Sequence, residues 1–248
     1  VTMREFVDEE AGKFFVRVVC TGILENTEEL FSALQQSLPD NASIKINPSE
    51  RKKIIILVTK EHHCLADILI RHHFETWDTD IQAVIGNYSD LEGFTRKFDI
   101  PYHYVSHENL SKEEFEGRLT AQIDQYEFDY IILAKFMRIL SPTFVQQYQG
   151  RIINIHHSFL PAFIGANPYR QAHTRGVKII GATAHYVTDD LDEGPIIVQD
   201  TRRVNHTYTV QDMMTAGKEI EKAVLARAIR LLLEDRVMLD RNKTIVFE

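Results

Sequence analysis

The sequence predicts an α/β protein, in which a doubly wound, mostly parallel sheet is preceded by a small α+β domain. From residue 51 onward, short apolar strands alternate with amphipathic helices, which is typical of an open sheet covered on both faces. Lys53–Val58 is a continuous apolar run of the kind expected for a buried central strand. A polar, proline-containing stretch at residues 46–53 separates this pattern from a different one before it. We therefore expect one domain over residues 1–50 and a second over residues 51–248.

The first 50 residues have the pattern of a strand, a helix and a second strand. Lys13–Cys20 predicts the first strand, and leucines on about one helical face predict a helix over Glu25–Leu38. Ser43–Ile46 predicts the second strand. A piece of this size is too small to bury a good core alone. We expect its apolar sheet surface, which includes Phe14 and Val18, to mediate assembly into a homo-oligomer.

The second domain is predicted to alternate strands with helices. The strands are Lys53–Val58, Ile81–Gly86, Tyr102–Val105 and Tyr130–Ala134, and the helices are His63–Phe74, Leu91–Phe98, Ser111–Tyr126 and Val210–Asp235. Ser111 is the expected N-cap of its helix, and Glu114 completes a capping box. Ligands of such sheets bind at the carboxyl ends of the strands. The loops to consider follow Val58, Gly86, Ala134 and Ile155.

Composition excludes several classes of protein. The net charge is −8, from 28 Lys and Arg against 36 Asp and Glu, which argues against a nucleic-acid-binding surface. The longest apolar run, Ile54–Val58, is far shorter than the roughly 20 residues needed to cross a bilayer. Cys20 and Cys64 are too few and too far apart for a disulfide framework. We expect a cytoplasmic protein with reduced thiols and no membrane or nucleic-acid partner.

A first chemical motif begins at Arg151 and reads RIINIHHSFLPAF. Asn154 and His156 are two residues apart on a predicted strand, so their side chains project from the same face. An amide can donate a hydrogen bond to an oxyanion, and an imidazole can move a proton near neutral pH. This pair therefore suits acyl chemistry.

A second motif joins two predicted strands through an acidic loop. The strands are Ala182–Val187 and Ile196–Gln199, and the loop between them carries Asp189, Asp190, Asp192 and Glu193. From the pattern alone, a solvated hairpin turn and a functional loop are equally good interpretations.

Three segments together resemble the folate-dependent formyltransferase family. They read AKFMRILSP from Ala134, NIHHSFLP from Asn154 and HYVTDDLDEGPII from His185. They occur in the family's order and spacing, and the similarity spans roughly residues 51–240. The resemblance implies a Rossmann-type fold and an active site that handles the formyl group of 10-formyltetrahydrofolate.

The resemblance also assigns roles to residues. Asn154, His156 and Asp192 match the family's catalytic triad. Residues that match the lining of the folate pocket are Met137, Arg138, Leu140, Thr188, Asp189 and Asp190. The family uses no metal or cofactor, and we expect none here, since the adjacent histidine pairs lack the i, i+4 spacing of helical zinc sites. We expect Asp192 to orient water and to raise the pKa of His156, while Asn154 and protonated His156 stabilise the oxyanion.

Three features of the chain bear on the acceptor of the formyl group. Family members that act on glycinamide ribonucleotide have a glycine-rich phosphate loop after the first strand, but Thr59–Asp67 contains no glycine. His157 replaces a proline that the transferases usually have. The tRNA-specific members add a basic C-terminal domain, whereas this chain ends soon after the helix over Val210–Asp235.

We therefore expect hydrolysis of 10-formyltetrahydrofolate to tetrahydrofolate and formate, which supplies formate for purine biosynthesis and balances the one-carbon folate pools. Two alternatives are formyl transfer to glycinamide ribonucleotide or another amine, and an inactive folate-binding or amino-acid-sensing module. Residues 1–50 resemble the second half of an ACT-type regulatory domain without its first strand and helix, which puts amino-acid regulation in doubt.

Three other residues are expected to shape the water or acceptor site. They are His157, His62 and Lys60. The alternative is that His157 fills space and that the other two are solvated. His185 is expected to be a hydrogen-bonded structural imidazole.

Overall fold

The computed structural model describes residues 1–22, 24, 26–47, 51–162 and 167–248. The chain divides into two compact units, one of residues 1–50 with 247–248 and one of residues 51–246. In the described part of the chain, no helix combines the length and the apolar character that a membrane span requires.

The N-terminal unit contains a β-hairpin and a helix. Strands β1 (Thr2–Asp8) and β2 (Lys13–Val19) pair antiparallel, with Thr2 opposite Val19 and Asp8 opposite Lys13. Helix α1 (Thr27–Ser37) is capped by Asn26, whose side chain accepts hydrogen bonds from two backbone N–H groups of the first turn.

Two expectations for this unit were wrong. Ser43–Ile46 has no regular secondary structure, whereas residues 2–8, for which no strand was predicted, form β1. The reason is that β2 obtains its ladder hydrogen bonds from the segment directly before it, joined by a tight turn in which Gly12 has a φ of +62°. The predicted helix begins later than expected, because Asn26 caps it at Thr27; Glu25 lies outside the described residues.

The second unit contains a seven-stranded sheet. Its strands are β3 (Lys52–Val58), β4 (Thr79–Gly86), β5 (Tyr102–Tyr104), β6 (Tyr130–Leu133), β7 (Ile152–His156), β8 (Ile179–Tyr186) and β9 (Ile196–Arg203). The strand order is β5-β4-β3-β6-β7-β8-β9. The pairs from β5 to β7 are parallel, and the pairs β7–β8 and β8–β9 are antiparallel. The predicted mostly parallel, doubly wound sheet is confirmed.

Helices surround the sheet. They are α2 (His63–His73), α3 (Glu92–Thr95), α4 (Lys112–Ile123), α5 (Pro142–Gln147), α6 (Pro168–Arg175) and α7 (Val210–Leu233), with a 3-10 turn at Arg96–Phe98. A last hairpin is formed by β10 (Val237–Asp240) and β11 (Lys243–Val246). The capping box predicted for α4 is confirmed: Ser111 Oγ accepts from the Glu114 N–H, and the Glu114 carboxylate accepts from the Ser111 N–H.

The apolar run of β3 is explained by burial on both faces of the sheet. Ile54, Ile56 and Val58 pack into one core cluster, and Ile55 and Leu57 pack into a second cluster on the other face. All five side chains are fully buried, and each such side chain contributes roughly 1.5–3 kcal/mol.

The strand order reverses between β3 and β6, since the chain continues to β4 on one side and to β7 on the other. The loops after β3 and β6 therefore separate at a topological switch point, where ligands of open α/β sheets bind.

Candidate active site

The structure brings Asn154, His156 and Asp192 together at the end of β7. Asn154 and His156 lie on β7, and Asp192 lies on the connection between β8 and β9. The antiparallel pairing of β7 with β8 places His185 directly opposite Asn154. One strand and one loop thus supply the three residues that the sequence predicts for the triad.

A close contact joins the ring of His156 to the acidic loop. His156 Nδ1 lies 3.2 Å from Asp192 Oδ1, and the two side chains are only 7% and 11% exposed. Burial by itself raises the pKa of a carboxyl group, but the hydrogen bond with His156 and the nearby imidazoles hold the pKa of Asp192 below its usual range. Asp192 is therefore ionised at neutral pH.

The backbone of the acidic loop is held in an unusual conformation. Asp192 has a φ of 58°, in the left-handed region that few non-glycine residues adopt. Two residues later, a Cβ on Gly194 would lie 1.9 Å from the carbonyl oxygen of Tyr186. The loop therefore closes directly onto the end of β8, and this close approach directs Asp192 toward His156.

His185 contacts two members of the triad. Its Nδ1 lies 2.8 Å from the carbonyl oxygen of Tyr186, so Nδ1 must carry the hydrogen. Burial lowers the pKa of His185, which keeps the ring neutral and leaves Nε2 as an acceptor. Asn154 Nδ2 donates to this nitrogen at 3.3 Å. Nε2 is also 3.8 Å from Asp192 Oδ1. The expected structural imidazole thus orients the amide of Asn154.

The second nitrogen of His156 is available for chemistry. Because Nδ1 faces Asp192, Nε2 is the remaining proton-transfer atom of the ring. It is buried and has no hydrogen-bond partner among the residues that the structure describes. An imidazole with one nitrogen on a carboxylate and the other free can take a proton from a bound molecule or donate one to it.

His157 stacks on His156, with ring centroids 5.2 Å apart and an interplanar angle of 25°. Burial lowers the pKa of His157 to about 4, and the positive charge of Lys135 adds to this effect. His157 is therefore neutral at pH 7. The ring of Tyr169 is also near, with its centroid 6.2 Å from that of His157 and an interplanar angle of 42°.

The residues predicted to line the folate pocket lie on two segments, one after β6 and one after β8. Gln146 of α5, just beyond the segment after β6, donates through Nε2 to Asp189 at 2.9 Å. Thr188 Oγ1 donates to the carbonyl oxygen of Asp190 at 3.2 Å.

On the other segment, the Met137 N–H donates to Thr59 Oγ1 at 3.0 Å, and the Met137 side chain is 56% exposed. The guanidinium of Arg138 lies 5.6 Å from the centroid of the Phe115 ring. Leu140 packs against one of the core clusters. This segment therefore exposes the Met137 side chain, whereas Leu140 packs inward.

Lys60 and His62 lie on the loop after β3. Lys60 Nζ is 4.0 Å from the centroid of the Tyr88 ring, and His62 is exposed, with its ring edge-on to that of His63. For the described residues, the structure records no contact of either side chain with the triad.

Sequence reasoning missed a buried ionic cluster around Glu221. This residue of α7 is 1% exposed, and its carboxylate accepts from His63 Nε2 at 2.8 Å and from the Tyr169 hydroxyl at 2.7 Å. Lys135 Nζ lies 3.1 Å away. Burial raises the pKa of a carboxyl group, but these three partners hold the pKa of Glu221 to about 2. The one sign of this cluster in the sequence is a glutamate on the apolar face of a predicted helix, where a charged residue is rarely buried without a partner.

The ligand atoms of His63, Cys64 and Glu221 lie within 4.8 Å of one another, which is close enough to hold a metal ion. However, the Glu221 carboxylate already carries Lys135 and His63 as cationic or hydrogen-bonding partners. Burial also raises the pKa of the Cys64 thiol, which disfavours the thiolate that a metal needs. The group is better described as an internal ion-pair cluster than as a metal centre.

Comparison with known proteins gives consistent matches along the chain. Residues 52–229 match the family model described as formyl transferase. The chain is 52% identical over 246 residues to formyltetrahydrofolate deformylase of Escherichia coli strain K12, covering 99% of this chain and 88% of the relative. It is 44% identical over 245 residues to that of Bacillus subtilis, covering 97% and 81%.

Solved structures agree. A formyltetrahydrofolate deformylase from Pseudomonas syringae superposes with a TM-score of 0.93 at 40% identity, covering 100% of this chain and 84% of that one. Glycinamide ribonucleotide transformylase 1 from Symbiobacterium toebii superposes with a TM-score of 0.76 at 28% identity, covering 85% and 100%. The chain therefore belongs to the formyl transferase family, in which its relatives include the formyltetrahydrofolate deformylases.

Proposed function

We propose that the protein hydrolyses 10-formyltetrahydrofolate to tetrahydrofolate and formate. The observation that carries the proposal is the buried pair of His156 with Asp192, which leaves Nε2 of His156 free beside the oriented amide of Asn154. Relatives named for this reaction are 41–52% identical to the chain over nearly its full length.

The reaction breaks the bond between the formyl carbon and N10 of the folate. Water adds to the formyl carbon and forms a tetrahedral oxyanion, and Nε2 of His156 takes the proton that the water loses. Asp192 holds Nδ1 of His156, so that Nε2 of the ring faces the reacting atoms. Asp192 also helps to orient the attacking water. Collapse of the oxyanion releases formate, and N10 leaves with a proton from His156 or from a water relayed through it.

The oxyanion is stabilised by two donors. One N–H of the Asn154 amide is directed to His185, which leaves the second N–H for the developing negative charge. The protonated form of His156 supplies the other donor through Nε2. Because both groups are held before substrate binds, little reorganisation is needed in the transition state.

Water is favoured over an amine as the formyl acceptor. The loop after β3, residues 59–62, and the start of α2 contain no glycine whose backbone could surround a nucleotide phosphate. Formyl transfer to glycinamide ribonucleotide is the second hypothesis, and an inactive folate-binding or amino-acid-sensing module is the third. The intact triad geometry favours an enzyme over that module.

The test is an absorbance assay on 10-formyltetrahydrofolate with and without glycinamide ribonucleotide, with formate measured separately. We expect formate to appear at the same rate in both, with no formylated ribonucleotide. Each missing N–H contact to phosphate loses roughly 1.5–3 kcal/mol of charge-assisted hydrogen bonding. Formylated ribonucleotide forming faster than formate would replace hydrolysis by transfer, and absence of both products would favour the binding module.

We also propose the wider setting of this activity. The formate would supply purine biosynthesis and the reaction would balance the one-carbon folate pools, in the cytoplasm and without metal or cofactor. Residues 1–50 would act as an ACT-like unit through which copies of the chain assemble. Support for assembly comes from exposed apolar side chains on the hairpin, such as Phe14 and Val18, which are 59% and 49% exposed.

A further inference from the structure

One buried carboxylate joins four elements of the second unit. Glu221 belongs to α7, and its three partners come from the start of α2 (His63), the segment just after β6 (Lys135) and α6 (Tyr169). A carboxylate that is 1% exposed and fully hydrogen-bonded holds such partners rigidly, since breaking any contact leaves a buried charge with one partner fewer.

A row of three rings connects this cluster with the reaction centre. Tyr169, whose hydroxyl donates to Glu221, lies 6.2 Å from His157, and His157 stacks at 5.2 Å on His156. The charges of Lys135, Glu221 and Asp192 all affect the pKa of His157, although burial has the largest effect. The ring of His157 therefore neighbours both Tyr169, a partner of Glu221, and His156 of the triad.

A glycine in α7 leaves room for the contact between Tyr169 and Glu221. Gly217 lies one helical turn before Glu221, and a Cβ at that position would lie 2.0 Å from the Tyr169 hydroxyl oxygen. Glycine in a helix interior costs about 1 kcal/mol relative to alanine. Here the missing side chain provides the space through which Tyr169 reaches Glu221.

We infer that Glu221 is a positioning residue for the hydrolysis, which acts through Tyr169 and His157 to fix the ring of His156 in the orientation that its reaction requires. This inference rests on the proposed function. Its consequence is that loosening Tyr169 slows the chemical step while leaving folate binding largely unchanged. The neighbours of Tyr169 are His157 and Glu221, and neither belongs to the segments predicted to bind folate.

The test compares Tyr169→Phe, Glu221→Gln, their double variant and Gly217→Ala with two controls. Glu219→Gln changes an exposed glutamate of the same helix, which pairs with Lys222 at 2.8 Å. Tyr104→Phe removes a hydroxyl from a tyrosine that is 50% exposed. Steady-state kcat and KM on 10-formyltetrahydrofolate are measured for each, together with circular dichroism to verify folding.

We expect Tyr169→Phe, Glu221→Gln and Gly217→Ala each to lower kcat about tenfold or more, since small misplacements of a catalytic group cost up to about a hundredfold. KM should stay within about threefold of wild type, and the double variant should be no slower than Glu221→Gln alone, because both changes act through one path. If Glu221→Gln does not fold, Tyr169→Phe and Gly217→Ala carry the same test.

A kcat for Tyr169→Phe within about twofold of Tyr104→Phe would overturn the inference, as would losses that multiply fully in the double variant. A rise in KM with unchanged kcat would also overturn it. Failure of the wild-type protein and both controls to release formate would instead refute the proposed function.

Discussion

Asn154 Nδ2 lies 3.3 Å from His185 Nε2, across an antiparallel strand pair in which the two residues are direct partners. His185 is fixed in turn by the carbonyl oxygen of Tyr186. The Asn154 amide, which we expect to bind the oxyanion, is thus oriented by the neutral imidazole of His185. A backbone carbonyl oxygen holds that imidazole in place. This relationship separates the residues that would touch substrate from those that position them.

Substitution of the triad tests the proposed mechanism. We expect Asn154→Ala, His156→Ala and Asp192→Asn each to lower kcat/KM for formate release by at least about a hundredfold, the scale for losing an oxyanion donor or a proton shuttle. Folding should survive, since these polar side chains add little to the core. Near-normal turnover in any one folded variant would remove that residue from the mechanism.

Substitution of His185 tests the positioning of Asn154. His185→Ala removes the acceptor that orients the Asn154 amide, and we expect kcat to fall about tenfold, less than for Asn154→Ala. The double variant His185→Ala with Asn154→Ala should be no slower than Asn154→Ala alone, because His185 acts through the amide. Steady-state kinetics of the three variants measure this, and fully multiplying losses would show that His185 acts independently of Asn154.

The depressed pKa of Glu221 predicts how stability depends on pH. The group's pKa falls from an ordinary 4.5 to about 2 on folding. Its contribution to the free energy of unfolding is therefore present above pH 4.5 and is lost as the pH falls from 4.5 toward 2. Glu221→Gln should cost about 3 kcal/mol at pH 7, because Lys135 loses its buried partner.

Urea unfolding of wild type and Glu221→Gln between pH 7 and pH 3.5 measures this difference. We expect the difference between the two free energies of unfolding to be constant above pH 4.5 and to narrow below it, with Glu219→Gln as the control for substitution on the same helix. A difference that stays constant across the range would show that the charge of Glu221 does not contribute to stability.

Assembly through the N-terminal hairpin gives a fourth prediction. In the register of β1 and β2, Met3 pairs with Val18 and Val7 with Phe14, which forms one exposed apolar face. We expect wild-type protein at micromolar concentration to be a homo-oligomer, and Phe14→Lys with Val18→Lys to convert it to a monomer that still hydrolyses substrate.

Light scattering measures the mass of each form. The control is Ile70→Lys, the same kind of change at a 48% exposed residue of the second unit, which should leave the mass unchanged. A monomer mass for the wild-type protein would contradict assembly by any surface.

Local patterns predicted much of the second unit. The continuous apolar run of β3 identifies a strand buried on both faces, and the Ser111 and Glu114 capping box identifies the start of α4. These features depend on neighbours in sequence, so periodicity and capping reveal them. The pattern was weaker at residues 2–8 and 43–46, where strand formation depends on which segment is available to pair.

The sequence by itself determined the family resemblance, the alternation that forms the sheet, and the presence of an amide, an imidazole and a carboxylate in three motifs. Only the tertiary structure decided which side chains orient them. Asn154 meets His185 through strand register, and Glu221 meets His63 across 158 positions of the chain. The physical reason is that such contacts depend on strand order and helix packing, which bring together residues whose separation in sequence carries no periodic signal.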